Sequence, residues 1–217
     1  MIRHTAEERA ALKNATLQFL DRLRAAFPLE QRIRGADFAA RSAYGRVLAK
    51  WICGEVPDRD FLSPTELHAL CQLDAVVPGP AGLGCYPFST DDRGISVRFG
   101  RYQANAMCAI DALAISRLAG LASVVDAHCS VCLVPVNGQV QADGSLDHDA
   151  WLDVRVLWRH AVRAPGSCSE SICRDLVFIC QKCAASEGCD CLTLPQATAV
   201  ANAFFRFQRE FAPPQST

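Results

Sequence analysis

An α+β fold is the expectation for this chain, and three observations predict it. Amphipathic helical patterns occupy its first quarter, valine-rich alternating runs fill its middle, and a helical pattern returns near the C-terminus. With 217 residues, 50% of them hydrophobic and 21% charged, the chain is long enough to bury a substantial core and too apolar to remain disordered.

Residues 6 to 26 place Ala11, Leu12, Ala15, Phe19, Leu23 and Ala26 near helical spacing, with Arg9, Lys13, Arg22 and Arg24 mostly away from them. A second helix is expected from about Asp37 to Ile52, entered after Gly35 and stopped by Gly54 and Pro57. Ser63, Pro64 and Glu66 read as an N-cap, a first-turn proline and a capping-box glutamate, so a third helix covers roughly 64 to 73. A Pro and Gly run from Val77 to Gly84 follows, and then Ile95, Val97 and Phe99 alternate with polar residues as one arm of a hairpin. Three helices and a hairpin suggest a winged-helix-like helical subdomain over residues 1–100, with a second unit over 101–217.

In that second unit, residues 102 to 122 are nearly all small or apolar, which predicts a buried helix. Residues 124 to 140 read as valine-rich strands turned at Pro135 and Asn137-Gly138. Leu152, Val154 and Val156 alternate with charged residues as a half-buried strand, and residues 176 to 179 form another short apolar run. Residues 195 to 211 close the chain as a helix with Val200, Ala203, Phe204 and Phe207 on one side.

Composition excludes several classes of function. The formal charge is −1, so no overall basic field exists to hold nucleic acid or an anionic membrane. The first 50 residues are locally basic, yet the helix beginning near Ser63 offers few Arg or Lys to read bases. No nucleic-acid or membrane partner is therefore expected. The opening residues lack the basic and then apolar halves of a signal peptide, which makes the cytoplasm the expected address.

Twelve cysteines are the anomaly. Disulfide frameworks belong to small secreted domains with thin cores, so reduced thiols point to metal binding, redox chemistry, thiolate catalysis or inert burial. Cys108 and Asp111 stand three apart on the apolar helix, which brings thiol and carboxyl to one face. Desolvation would raise the pKa of such a carboxyl, making it a proton carrier near neutrality; bonding to a neighbour such as Arg117 would make it purely structural.

The window from residue 102 to 136 resembles the bacterial organomercurial lyases (alkylmercury lyases). Three features carry the resemblance: the run Cys108-Ala109-Ile110-Asp111, the pair His128-Cys129 whose cysteine lies twenty-one positions beyond the first, and the following Pro135-Val136. More weakly, Cys173 stands shortly before Phe178-Ile179, where the family has a second essential cysteine. The family also begins with a small winged-helix-like domain, and the likeness extends over roughly residues 60 to 211. It implies a core of mixed β-sheet flanked by helices. It further implies that Cys108 and Cys173 are the thiolates that capture mercury, that Asp111 carries the proton, and that Cys129 is structural. The implied activity is cleavage of carbon–mercury bonds without a cofactor, in mercury resistance and detoxification. The implied partners are an organomercurial small molecule, the Hg(II) product, and small thiols or a thiol-bearing acceptor protein.

The remaining sulfur is not needed by that family. Cys180-Gln-Lys-Cys183 has the two-residue gap of zinc knuckles and redox pairs, and Cys189-Asp-Cys191 follows. Cys180, Cys183, Cys189 and Cys191 are therefore a second candidate metal set, for zinc or an iron–sulfur cluster. This supports a rival reading, a cysteine-rich metal- or cluster-binding protein acting as chaperone, store or sensor on the same scaffold. A related lyase acting on another carbon–heteroatom bond is the third reading. His128, the cluster of Arg159, His160 and Arg163, and the residues Trp51, Trp151 and Trp158 read as core, surface and packing groups respectively.

Overall fold

The computed structural model describes residues 6–146, 151, 153–159, 167–187 and 191–212, with side chains from Lys13 onward apart from Glu187. Leu152, His160, Arg163 and Cys189 lie outside the described residues. The fold is α+β, as the patterning requires.

Four helices come first: α1 (Ala6–Ala26), α2 (Leu29–Gly35), α3 (Phe38–Ile52) and α4 (Pro64–Gln72). Asp37 caps α3 by accepting the Ala40 N–H at 2.8 Å. At α4 the capping box is complete, with Ser63 Oγ accepting from Glu66 N–H at 3.3 Å and Glu66 Oε2 from Ser63 N–H at 2.9 Å. The short α2 escapes the periodicity argument because seven residues carry only two buried apolar groups, Leu29 and Ile33.

The Pro and Gly run is itself paired: β1 (Val76–Gly79) and β2 (Gly82–Cys85) form a tight antiparallel hairpin. They begin a seven-stranded sheet with β3 (Phe88–Ser89), β4 (Ser96–Phe99), β5 (Tyr102–Ala106), β6 (Ser123–His128) and β7 (Pro135–Val140), in the order β1-β2-β3-β5-β4-β6-β7. Strands β4 and β5, on either side of residue 100, pair with each other. Trp51 ties α3 to this sheet, since its indole N–H donates to Leu83 O at 2.9 Å and its ring stacks on Phe88 with centroids 5.2 Å apart.

The buried helix expected over 102 to 122 is shorter: its first five residues form β5, and α5 spans Ala109–Ala119. Apolar content alone does not separate a buried strand from a buried helix, and pairing with β3 and β4 decides the matter. Gly120, at φ 71, ends α5.

Asn137-Gly138 is also not a turn. Both residues lie within β7, and the connection from β6 is the 129–134 loop. A β-carbon on Gly138 would lie 1.8 Å from Trp151 Cε2, so this glycine provides close approach for an indole.

A second sheet has the order β10-β8-β9, from β8 (Val154–Trp158), β9 (Leu176–Cys180) and β10 (Cys191–Thr193). Every described pairing in both sheets is antiparallel, where a mixed sheet was expected. The single-turn α6 (Ile172–Asp175) precedes β9, α7 (Gln181–Glu187) follows it, and α8 (Leu194–Phe204) runs into a 3-10 turn at Arg206–Glu210. Helix α8 packs on α1 and α5, which places the N-terminal helix over the start of α5 and over the α6–β9 segment. Among the described residues no helix is long and apolar enough to cross a membrane.

Candidate active site

Cys108 is the N-cap of α5, held extended at φ −159, and its Sγ accepts the Asp111 N–H at 3.4 Å. Asp111 therefore occupies the third helical position, where free amides and the helix dipole favour negative charge. Cys173 reaches the same point from α6, its thiol donating to Asp111 Oδ2 at 3.6 Å. The two sulfurs and a carboxylate oxygen all lie within 4.8 Å of one another. Their exposures are 2% for Cys108, 2% for Asp111 and 5% for Cys173, so the cluster is shut away from bulk water.

A fourth group belongs to this constellation and escaped the sequence reading. Cys168 Sγ lies 3.7 Å from Cys173 Sγ, and the Cys173 N–H donates to Cys168 O at 2.9 Å. The loop carrying it is fixed by a polar network. Asp74 Oδ2 accepts from the Cys168 N–H at 2.8 Å, and Tyr86 Oη accepts from the Ser169 N–H at 2.8 Å while donating to Asp74 Oδ1 at 3.2 Å. Arg93 also donates to Ser169 O. The only sequence signal for Cys168 was its five-residue offset from Cys173, too weak to stand out among twelve cysteines.

A tight apolar hollow of about 10 Å³, room for no more than about one water, lies against Cys108, Asp111, Cys168 and Cys173, walled by side chains such as Leu23, Phe27, Phe204 and Phe205. Leu23 and Phe27 come from the N-terminal helical part, so the site draws on both halves of the chain. Across Cys108 and Cys173 from this hollow lies a solvent-open cleft of about 390 Å³, rimmed by Asp91, Asp92, Arg93 and Arg174. The two thiols form the boundary between a polar entrance and a dry interior.

Burial decides the protonation states. It drives the Asp111 carboxyl up from 3.8 to about 7, against the opposing influence of the Cys108 and Cys173 thiols and the Arg93 charge. Arg117, the sequence-level alternative partner, instead lines a separate hollow beside Arg206 and Arg209. Burial also pushes the Cys108 thiol well up, reinforced by Cys173 and by the Asp111 charge. For Cys173 the hydrogen bond with Cys108 acts downward, yet Cys168 and burial outweigh it and the thiol is raised. Both sulfurs are thus protonated at rest, beside a carboxyl balanced between its two forms near neutrality.

The second candidate set is grouped differently from the expectation. Among the described residues, Cys180 and Cys183 meet Cys129 and Cys132, the four sulfurs all lying within 4.8 Å of one another. Cys191 packs against the same small apolar cluster outside that quartet, because β10 joins the far side of β8 from β9. Cys189 is outside the described residues. The missed signal was present: Cys129-Ser-Val-Cys132 repeats the two-residue gap of Cys180-Gln-Lys-Cys183. His128 is exposed and belongs to neither group, Arg159 is exposed and donates to Ser130 Oγ at 2.9 Å, and Trp51, Trp151 and Trp158 are all buried.

Comparison with known proteins gives three findings. The family model described as alkylmercury lyase matches residues 88–206, more than half of the chain. A crystal structure described as the mercury-bound form of MerB2 is similar, with a TM-score of 0.66 and 14% identity over 83% of this chain and 96% of that one. Among curated proteins nothing matches by sequence.

Proposed function

The chain belongs to the alkylmercury lyase family, the carbon–mercury lyases, and on that premise we propose that it cleaves organomercurials at Cys108, Cys173 and Asp111. The observation that carries the assignment of residues is the convergence of two buried thiols and one buried carboxyl within 4.8 Å. That separation suits a single soft ion held between two metal–sulfur bonds, given that thiolate bonds to zinc are roughly 2.3 Å long. A soft, polarizable metal prefers sulfur to nitrogen or oxygen.

The proton inventory follows from the resting state. A substrate arrives as R–Hg–SR′, its mercury carried on a small thiol. The first protein thiol displaces R′SH and gives it its proton, leaving R–Hg bound to one cysteine sulfur. The second thiol passes its proton to the Asp111 carboxylate and bonds to mercury as thiolate. Charge then builds on the carbon of the weakened carbon–mercury bond, and the Asp111 carboxylic acid delivers the proton there. The products are RH, R′SH and mercury(II) bound by two cysteines, so one carboxyl acts first as base and then as acid. Near-neutral titration of Asp111 suits a group that must both take and return a proton. The organic group would lie in the open cleft over Cys108 and Cys173, while the packed side chains Leu23, Phe27, Phe204 and Phe205 close the other side of the thiols and exclude water there.

Cys168, whose sulfur is 3.7 Å from that of Cys173, would start the departure of Hg(II) toward small thiols or a thiol-bearing acceptor protein. The direct test incubates the protein with phenylmercury and excess small thiol and measures benzene. Release above the buffer control is expected; its absence would reject the reading.

A further inference from the structure

We propose that Cys129, Cys132, Cys180 and Cys183 hold one structural Zn²⁺ ion, a site distinct from the proposed lyase centre. Four sulfurs around zinc at roughly 2.3 Å sit at tetrahedral corners about 3.8 Å apart. The Cys132 and Cys180 sulfurs are 3.7 Å apart, and all four lie within 4.8 Å of each other. A multi-iron cluster interposes several metals and bridging sulfides and spreads its cysteines more widely, so this quartet fits a single ion.

The local backbone supports the same reading. Two pairs with a two-residue gap come from separate places, the 129–134 loop and the junction of β9 with α7. Cys129 Sγ accepts the Cys180 N–H at 3.4 Å, the kind of backbone donor that orients a sulfur at a metal ligand. The loop closes through Leu133 N–H on Cys129 O at 3.0 Å and Cys129 N–H on Val134 O at 2.9 Å. Leu133 adopts φ 60 and is 70% exposed, a backbone conformation a large side chain adopts only when its surroundings impose it. An ion bonded to Cys132 supplies that constraint. No large core does so, since the apolar cluster here is small: Cys129, Leu157 and Ile179, with partly buried neighbours.

The ion would fasten the end of β9 to the loop that joins β6 and β7, and so the small sheet to the large one. It would reinforce the direct links already present there, among them the Ser130 N–H to Phe178 O bond at 3.0 Å and the Arg159 guanidinium on Ser130 Oγ at 2.9 Å. Cys173 precedes β9, so the clasp secures the far end of the strand that follows the candidate mercury ligand.

The test is metal analysis and native mass spectrometry of the full chain, purified in reducing buffer from cells supplied with zinc. One zinc per chain is expected. It should persist when Cys108 and Cys173 are both replaced by Ser and be lost in Cys132→Ser and Cys183→Ser, whose sulfurs sit at the accessible rim. Should those variants fail to fold, cobalt(II) added to metal-stripped native protein decides the question, because a tetrahedral tetrathiolate site gives intense visible absorption. Substoichiometric metal, stoichiometric iron, zinc that departs with Cys108 and Cys173, or a cobalt spectrum lacking those bands would each overturn the proposal. None of these readouts involves turnover, so failure here is distinguishable from failure of the lyase reading.

Discussion

Cys173 Sγ lies 3.6 Å from Asp111 Oδ2, although 62 residues separate them in the chain. Asp111 is set by the first turn of α5 and Cys173 by the turn before β9, so the pair exists only when the two sheets are docked. The carboxyl and thiol are both buried, and burial favours their neutral forms. Because the carboxyl titrates at about 7, near neutrality a share of the molecules holds a thiol proton beside an ionised carboxylate able to take it once mercury makes thiolate the better state.

Replacing Asp111 by Asn keeps the shape and removes the proton carrier. Mercury(II) binding should persist, while benzene release from phenylmercury falls by about 10²- to 10⁴-fold, the usual range for a positioned acid or base. Equilibrium binding and product release measured on the same preparation check this. Turnover within a few-fold of the native rate would remove Asp111 from the scheme.

The pH dependence has a defined sign. Asp111 starts the cycle as carboxylate, so kcat/KM should rise with pH through about 7 and level off above it. Stability runs the other way. The folded state binds this proton more tightly than the unfolded chain, whose carboxyl titrates near 3.8, so the contribution is fully present below 3.8 and is lost as pH rises through about 7. Urea unfolding of the native protein and Asp111→Asn, compared from pH 5 to 8, should show the native protein losing on the order of a few kcal/mol relative to the variant. Parallel curves would show that the carboxyl is not strained by burial.

Much of this site was legible in the sequence, because its core is local. Cys108 and Asp111 share one helical turn, and spacing alone brings them together. The capping signal at Ser63 occurs where side-chain chemistry is dictated by a neighbour three residues away. What spacing could not convey is which distant segments meet. Cys129 and Cys132 join Cys180 and Cys183 through strand pairing and sheet docking, so proximity in sequence wrongly favoured Cys191 as their companion. The walls supplied by Leu23 and Phe27 come from a helix whose amphipathic pattern shows that it buries a face, but not against what.

Cys168 touches Cys173 but lies outside the trio that is mutually within 4.8 Å. Cys168→Ser should therefore leave single-turnover cleavage within about tenfold of native, roughly 1.4 kcal/mol at most, while slowing transfer of bound Hg(II) to external thiol. Rapid-quench measurement of hydrocarbon release, with a separate assay of mercury transfer, distinguishes the two steps. A loss above a hundredfold in cleavage would make Cys168 a third ligand in the bond-breaking step.

Gly138 provides the sharpest test of the fold because its sequence context suggested a different role. In Asn-Gly turns, glycine is chosen for a positive φ, and alanine is costly because that backbone strains it. Here Gly138 lies inside β7, paired with Val125, and its missing side chain makes room for Trp151. That indole is 3% exposed, and its N–H donates to Gln139 O at 3.2 Å, so it cannot swing away without losing both burial and a hydrogen bond. Gly138→Ala should accordingly destabilise the protein by about 1–3 kcal/mol or more, the range for overpacking a well-filled core. The companion variant Trp151→Phe, which shrinks the ring, should recover part of that loss when combined with it. A double-mutant cycle in urea unfolding measures the coupling, and strictly additive effects would place the cost in the backbone instead.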